Sequence, residues 1–72
     1  MDGLRVIYKN EDGVCIVELP NGKYYYGNGE TFGGVGVSPN QFLRFNPCLV
    51  HAKDGEEVPK PIREWIEKNV EV

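Results

Sequence analysis

Few side chains in this sequence can perform catalysis. The chain has one histidine (His51), one serine (Ser38) and two cysteines (Cys15 and Cys48). A nucleophilic site needs one such group beside a base, and the order of these residues along the chain does not place them together. The sequence therefore disfavours an enzyme, and we expect no catalytic residue, no cofactor and no metal ion.

An excess of positive charge is also absent. The 8 Lys and Arg residues are outnumbered by 11 Asp and Glu residues, which gives a net charge of −3. The cations are scattered along the chain and form no basic block. Simple electrostatic attraction to nucleic acid or to anionic lipid is therefore disfavoured.

Long apolar runs are missing as well. No stretch approaches the roughly 20 apolar residues that a membrane-spanning helix needs. The first residues lack the basic region and the apolar run of a secretory signal. We therefore expect no association with a membrane and a cytoplasmic location.

The two cysteines lie in apolar runs, Cys15 within Val14–Val17 and Cys48 within Cys48–Val50. Thiols in such runs are typically buried and free in a reducing compartment, and a single disulfide is the alternative. Cys48 and His51 have the spacing of half a zinc site. Residues three apart on a strand point to opposite faces of a sheet, however, so the spacing does not predict a metal site.

A length of 72 residues allows one domain, residues 1–72. A chain this short buries only about 60% of the surface that its unfolded form exposes, so its stability is marginal. Self-association would supply additional burial, and a homodimer is expected on this ground.

Alternating apolar and polar residues predict an antiparallel meander at the start of the chain. Its strands are predicted over residues 4–9, 14–19 and 23–26. In the first strand, Leu4, Val6 and Tyr8 are expected on one face. Asp12-Gly13 and Asn21-Gly22 supply the two turns, since both pairs favour positive φ angles.

A two-residue turn at Asn21-Gly22 would set the register of the second hairpin. Leu19 would then face Tyr24, and Glu18 would face Tyr25. This register places Tyr24 and Tyr26 on the core face with Cys15, Val17 and Leu19, and it directs Tyr25 outward with Val14 and Ile16.

The rest of the chain contains a glycine-rich segment, two helices and one further strand. Five glycines within residues 27–36 indicate a loop or a kinked crossover. Ser38-Pro39 resembles a helix start, with Gln41 completing a capping box, and Asn46-Pro47 ends that helix.

Residues 48–53 read as a fourth strand and residues 56–58 as a weak return strand. From Pro61 onward the apolar spacing becomes helical, with Ile62, Trp65 and Ile66 on one face.

These patterns predict a mostly β member of the α+β class. The meander is extended to a small sheet of four or five strands, or to a partly open barrel of the SH3-like or oligonucleotide-binding kind. A short helix is predicted near residues 39–45 and a C-terminal helix near residues 61–69. Sequence alone does not separate the barrel from the open sheet.

A small, non-enzymatic protein-interaction module that self-associates is the leading functional hypothesis. Its basis is the half-apolar outer face predicted for Val14, Ile16 and Tyr25, together with the need for additional burial.

A small β-barrel that binds single-stranded nucleic acid is the alternative, with Tyr25, Phe32, Lys23 and Arg44 as its contact residues. An accessory subunit of an enzyme is a second alternative, because such subunits carry no motif of their own.

Overall fold

The computed structural model describes residues 3–28, 30 and 38–70, and these form an open four-stranded antiparallel sheet with two helices. The elements are β1 (Arg5–Lys9), β2 (Cys15–Glu18), β3 (Tyr24–Gly27), α1 (Pro39–Phe45), β4 (Val50–His51) and α2 (Lys60–Asn69). The strand order is β3-β2-β1-β4, so the predicted meander and both helices are confirmed. Most of the glycine-rich segment lies outside the described residues.

The β1–β2 hairpin closes with a three-residue loop. The Asn10 N–H donates to the Val14 carbonyl at 2.9 Å, and the Gly13 N–H donates to the Asn10 carbonyl at 3.4 Å. Gly13 has a φ of 85°, which suits glycine. The Asn10 side-chain oxygen accepts hydrogen bonds from the Asp12 and Val14 N–H groups at 3.0 Å each, so this side chain stabilises the turn.

The β2–β3 hairpin repeats this design. The Leu19 N–H donates to the Lys23 carbonyl at 2.9 Å, the Gly22 N–H donates to the Leu19 carbonyl at 3.0 Å, and the loop is therefore Pro20-Asn21-Gly22. In a two-residue loop, Pro20 would have to donate an N–H to Lys23, and proline has none. Proline instead suits the first central position of the turn, and Gly22 has a φ of 84°.

The predicted register of this hairpin is consequently wrong by one residue. Val17 pairs with Tyr25, and Ile16 pairs with Tyr26. Because side chains alternate along a strand, a shift of one residue moves each tyrosine of β3 to the opposite face. Tyr25 therefore lies in the core with an exposed fraction of 7%.

A bulge in β1 makes a second prediction wrong, namely that Val6 and Tyr8 lie on one face of the sheet. Val6 pairs with Val17, but Tyr8 pairs with Ile16, so β1 has one residue more than β2 over this stretch. The extra residue, Ile7, breaks the alternation. Val6 therefore lies on the face of Val17, whereas Tyr8 lies on the face of Ile16.

Helix α2 covers the first face of the sheet. Ile62 and Ile66 are fully buried in one cluster with Val17 and Tyr25, and Trp65 packs against that cluster. The Trp65 ring lies 6.3 Å from the Tyr25 ring, centre to centre, at an angle of 55°. The predicted helical stripe is thus confirmed, and its aromatic partner is Tyr25.

Helix α1 contacts the second face. The Phe42 ring stacks on the Tyr26 ring with 4.1 Å between centres, and the Tyr26 hydroxyl donates to the Asn46 side chain at 2.8 Å. Pro39 occupies the first turn, as predicted. The Ser38 hydroxyl makes no capping bond, so the capping-box prediction is wrong, and the main-chain carbonyl of Ser38 accepts from Gln41 at 3.1 Å instead.

The fourth strand is shorter than predicted. β4 contains two residues, of which His51 pairs with Tyr8. Residues 56–58 form no strand, although Val58 is buried in the core. Neither α1 nor α2, the helices within the described residues, has the length and the apolar character needed to cross a bilayer.

The observed register predicts losses of stability of different size for two adjacent tyrosines. We expect Tyr25→Ala to lower the free energy of unfolding by about 3 kcal/mol, because it leaves a cavity beneath Trp65. Tyr24→Ala, the matched control on the other face, should cost less than about 1 kcal/mol. Urea denaturation followed by circular dichroism measures both, and a larger loss for Tyr24→Ala would contradict the register.

Candidate interaction surface

The partner-binding residues predicted on the outer face are mostly inside the molecule. Ile16 has an exposed fraction of 0% and Tyr25 one of 7%, while Val14 is half-buried. The premise that Ile16 and Tyr25 form an open surface is therefore wrong. The one-residue register shift accounts for Tyr25.

The remaining predicted residues are Lys23, Arg44 and Phe32. Lys23 and Arg44 are exposed, Lys23 beside the β2–β3 loop and Arg44 in the last turn of α1. Phe32 lies outside the described residues.

A different apolar surface begins where α1 ends. Asn46 caps the helix, since its N–H donates to the Phe42 carbonyl at 2.8 Å and its side-chain amide donates to the same carbonyl at 3.1 Å. Phe42 faces the sheet, whereas Phe45, one turn later, is 83% exposed. The described residues therefore place nothing over the last turn of α1.

A tight turn continues this surface into β4. The Leu49 N–H donates to the Asn46 carbonyl at 3.1 Å, with Pro47 and Cys48 at the tip. Leu49 is buried, Cys48 is exposed, and Val50 is 60% exposed. Phe45, Cys48 and Val50 constitute what we call the 45–50 surface.

The β1–β2 turn borders the 45–50 surface. The Asn10 side-chain amide lies 3.6 Å from the Cys48 sulfur, in a donor position. A cleft of about 550 Å³ is lined by Asn10, Glu11, Asp12, Cys48 and Val50, with Lys9. The exposed carboxylates of the turn therefore line the same cleft as Cys48 and Val50.

The charges at this border are not equally available. Lys9 donates from its ammonium group to the Glu56 carboxylate. Glu56 also accepts from the Lys53 N–H at 3.2 Å. The hydrogen bond from Lys9 is the main cause that lowers the pKa of Glu56. Lys9 therefore ties the turn before α2 to β1, and its charge is compensated within the molecule.

A second, larger cleft of about 650 Å³ contains most of the remaining polar side chains of the sheet. The Arg5 guanidinium donates to Glu18 at 2.9 Å, and a hydrogen bond to the same carboxylate raises the pKa of Tyr24. Tyr8 and His51 are joined at 3.2 Å between the hydroxyl and Nε2, with ring centres 4.3 Å apart. These groups are paired with one another.

The chemistry of these groups does not indicate a reaction. The partner that the structure provides for His51 is the Tyr8 hydroxyl, not a serine or a thiol. Burial raises the pKa of Cys15 to about 11, which makes this thiol a poor nucleophile at neutral pH. Among residues 3–28, 30 and 38–70, no three His, Cys, Asp or Glu side chains are grouped as a metal site.

Sequence reasoning missed Phe45 and Val50. Both belong to patterns that predict packing, a helix face for Phe45 and a strand for Val50. Periodicity does not reveal that α1 ends at Phe45, nor that β4 stops after two residues. The prediction that Cys48 is buried fails for the same reason, because it lies in the turn that precedes β4.

Comparison of the chain with family models, with curated proteins and with solved structures finds no significant match.

The two cysteines should differ sharply in reactivity. A pKa raised from 9.0 to about 11 leaves Cys15 with about a hundredfold less thiolate than an ordinary thiol at neutral pH. We expect iodoacetamide to modify Cys48 in the folded protein, with Cys15 reacting only after denaturation. Peptide mass spectrometry identifies the site, and early modification of Cys15 would contradict the burial described above.

Stability should fall in acid through Glu56. The folded-state pKa of Glu56 lies below its ordinary value of 4.5, so its contribution is complete above that value and is lost as the pH drops further. Glu56→Gln should flatten this part of the stability profile, and Lys9→Met should do the same. Glu57→Gln, a change on the adjacent exposed carboxylate, is the control. Urea midpoints measured between about pH 6 and pH 3 test this, and an unchanged profile for Glu56→Gln would refute it.

Proposed function

We propose that this chain is a non-enzymatic protein-interaction module that self-associates through the 45–50 surface. The observation that carries the proposal is the exposure of Phe45 at 83% and Val50 at 60%. Exposed apolar side chains with a polar border are typical of protein contacts.

The energetics favour a weak assembly. Complete burial of a Phe or Val side chain contributes about 1.5–3 kcal/mol, and a symmetric dimer buries two copies of each. Association itself costs about 4–15 kcal/mol in lost freedom of motion. We therefore expect a dimer with a dissociation constant of roughly micromolar order or weaker.

The cellular location forms part of this proposal. An exposed, unpaired thiol at Cys48 suits a reducing compartment, which supports the cytoplasm. The nucleic-acid alternative is less well supported, because Tyr25, its main stacking residue, is buried beneath Trp65.

Sedimentation velocity over a concentration series tests self-association. We expect the wild-type mass to rise with concentration, and Phe45→Asp or Val50→Asp to shift the dissociation constant upward by at least about tenfold, since each buries a charge in the contact. Lys60→Asp, on the exposed start of α2, is the control and should behave as wild type.

Circular dichroism must show that each variant is folded. A monomer mass at every concentration up to roughly millimolar would reject the proposal. A dimer that does not form in this range has a binding free energy weaker than about 4 kcal/mol. A dimer that tolerates both aspartates would also reject the proposal.

A further inference from the structure

Charges of opposite sign lie near Phe45 and near Val50, the two ends of the 45–50 surface. Arg44 is exposed in the last turn of α1, one residue before Phe45. Glu11 and Asp12 are exposed at the other end, where they line a cleft together with Val50. A basic side chain therefore precedes Phe45 in the chain, and two acidic side chains share a cleft with Val50.

These charges have no compensating partner among residues 3–28, 30 and 38–70. Two ion pairs within that part of the chain join Arg5 to Glu18 and Lys9 to Glu56, and neither includes Arg44, Glu11 or Asp12. Their side chains are thus available to a second molecule.

We infer that the partner is a second copy of the chain, placed so that Arg44 of each copy lies against Glu11 and Asp12 of the other. This inference rests on the proposed function and specifies its geometry. In a two-fold symmetric dimer each contact occurs twice, so one rotation satisfies both ends of both surfaces.

Charge complementarity selects this orientation over its alternative. A two-fold axis running along the line from Phe45 to Val50 would bring Arg44 close to its own symmetry copy, and the two acidic ends close to each other. An axis perpendicular to that line brings unlike charges together, and Phe45 then meets Val50 of the other copy. Like charges set against each other in a contact are strongly unfavourable, whereas unlike charges determine its register.

The border charges are exposed, so their effect should depend on salt. We expect the wild-type dissociation constant to increase between low and high ionic strength. The apolar contact persists in salt, so some association should remain.

A charge-exchange cycle tests the orientation. Arg44→Glu alone, and Glu11→Lys combined with Asp12→Lys, should each weaken the dimer by about tenfold, because each places like charges in contact. A triple variant that combines Arg44→Glu, Glu11→Lys and Asp12→Lys restores the attraction with the signs reversed. Its dissociation constant should return to within about threefold of the wild-type value. Lys60→Glu changes the net charge as Arg44→Glu does, away from the surface, and should have no effect.

The outcomes separate the two proposals. Dimerisation that is lost in Phe45→Asp but is indifferent to the charge exchange would overturn this orientation while the proposed function stands. A triple variant weaker than either parent would overturn it equally. A wild-type chain that stays monomeric at every concentration would overturn the proposed function, and the orientation with it.

Discussion

The missing N–H of Pro20 determines how the rest of the molecule is assembled. Because proline cannot donate across a two-residue loop, the β2–β3 hairpin takes a third loop residue, and Tyr25 turns toward α2. The Trp65 stripe of α2 then covers one face of the sheet. Tyr26 turns to the opposite face, where its ring holds Phe42 and so positions α1. Both helices are thus placed by the register of one hairpin.

The two helices cover the sheet unequally, and this inequality produces the candidate surface. α2 has ten residues and buries Ile62 and Ile66, whereas α1 has seven residues and buries none. The shorter helix ends before all of its apolar side chains are covered, and Phe45 remains exposed to solvent. β4, at the sheet edge, leaves Val50 outside as well. An interaction surface of this kind arises from incomplete coverage rather than from a dedicated binding element.

Local patterns in the sequence predicted the elements but not their mutual placement. Alternation identified the meander, and the i, i+3, i+4 spacing from Ile62 identified the buried side of α2, because both are properties of short segments. The pair Asn21-Gly22 indicated the position of the turn and favoured a two-residue loop. The loop has three residues, because Pro20 lacks the N–H that a two-residue loop requires. Phe45 was missed because exposure depends on what packs nearby, and spacing along the chain contains no such information.

The bulge in β1 determines which face of the sheet Tyr8 occupies. With Ile7 present, Val6 belongs to the α2 side and Tyr8 belongs to the side of His51. In a regular strand of this sequence Tyr8 would lie on the face of Val6, whereas the bulge at Ile7 places it on the face of Ile16. A chain lacking Ile7 would make Val6 and Tyr8 consecutive, and alternation would keep Tyr8 on the face of Ile16. A deletion at Ile7 therefore removes the bulge without moving Val6 or Tyr8 to another face, and an alignment of any homologous strand must allow a gap there before its side chains are compared.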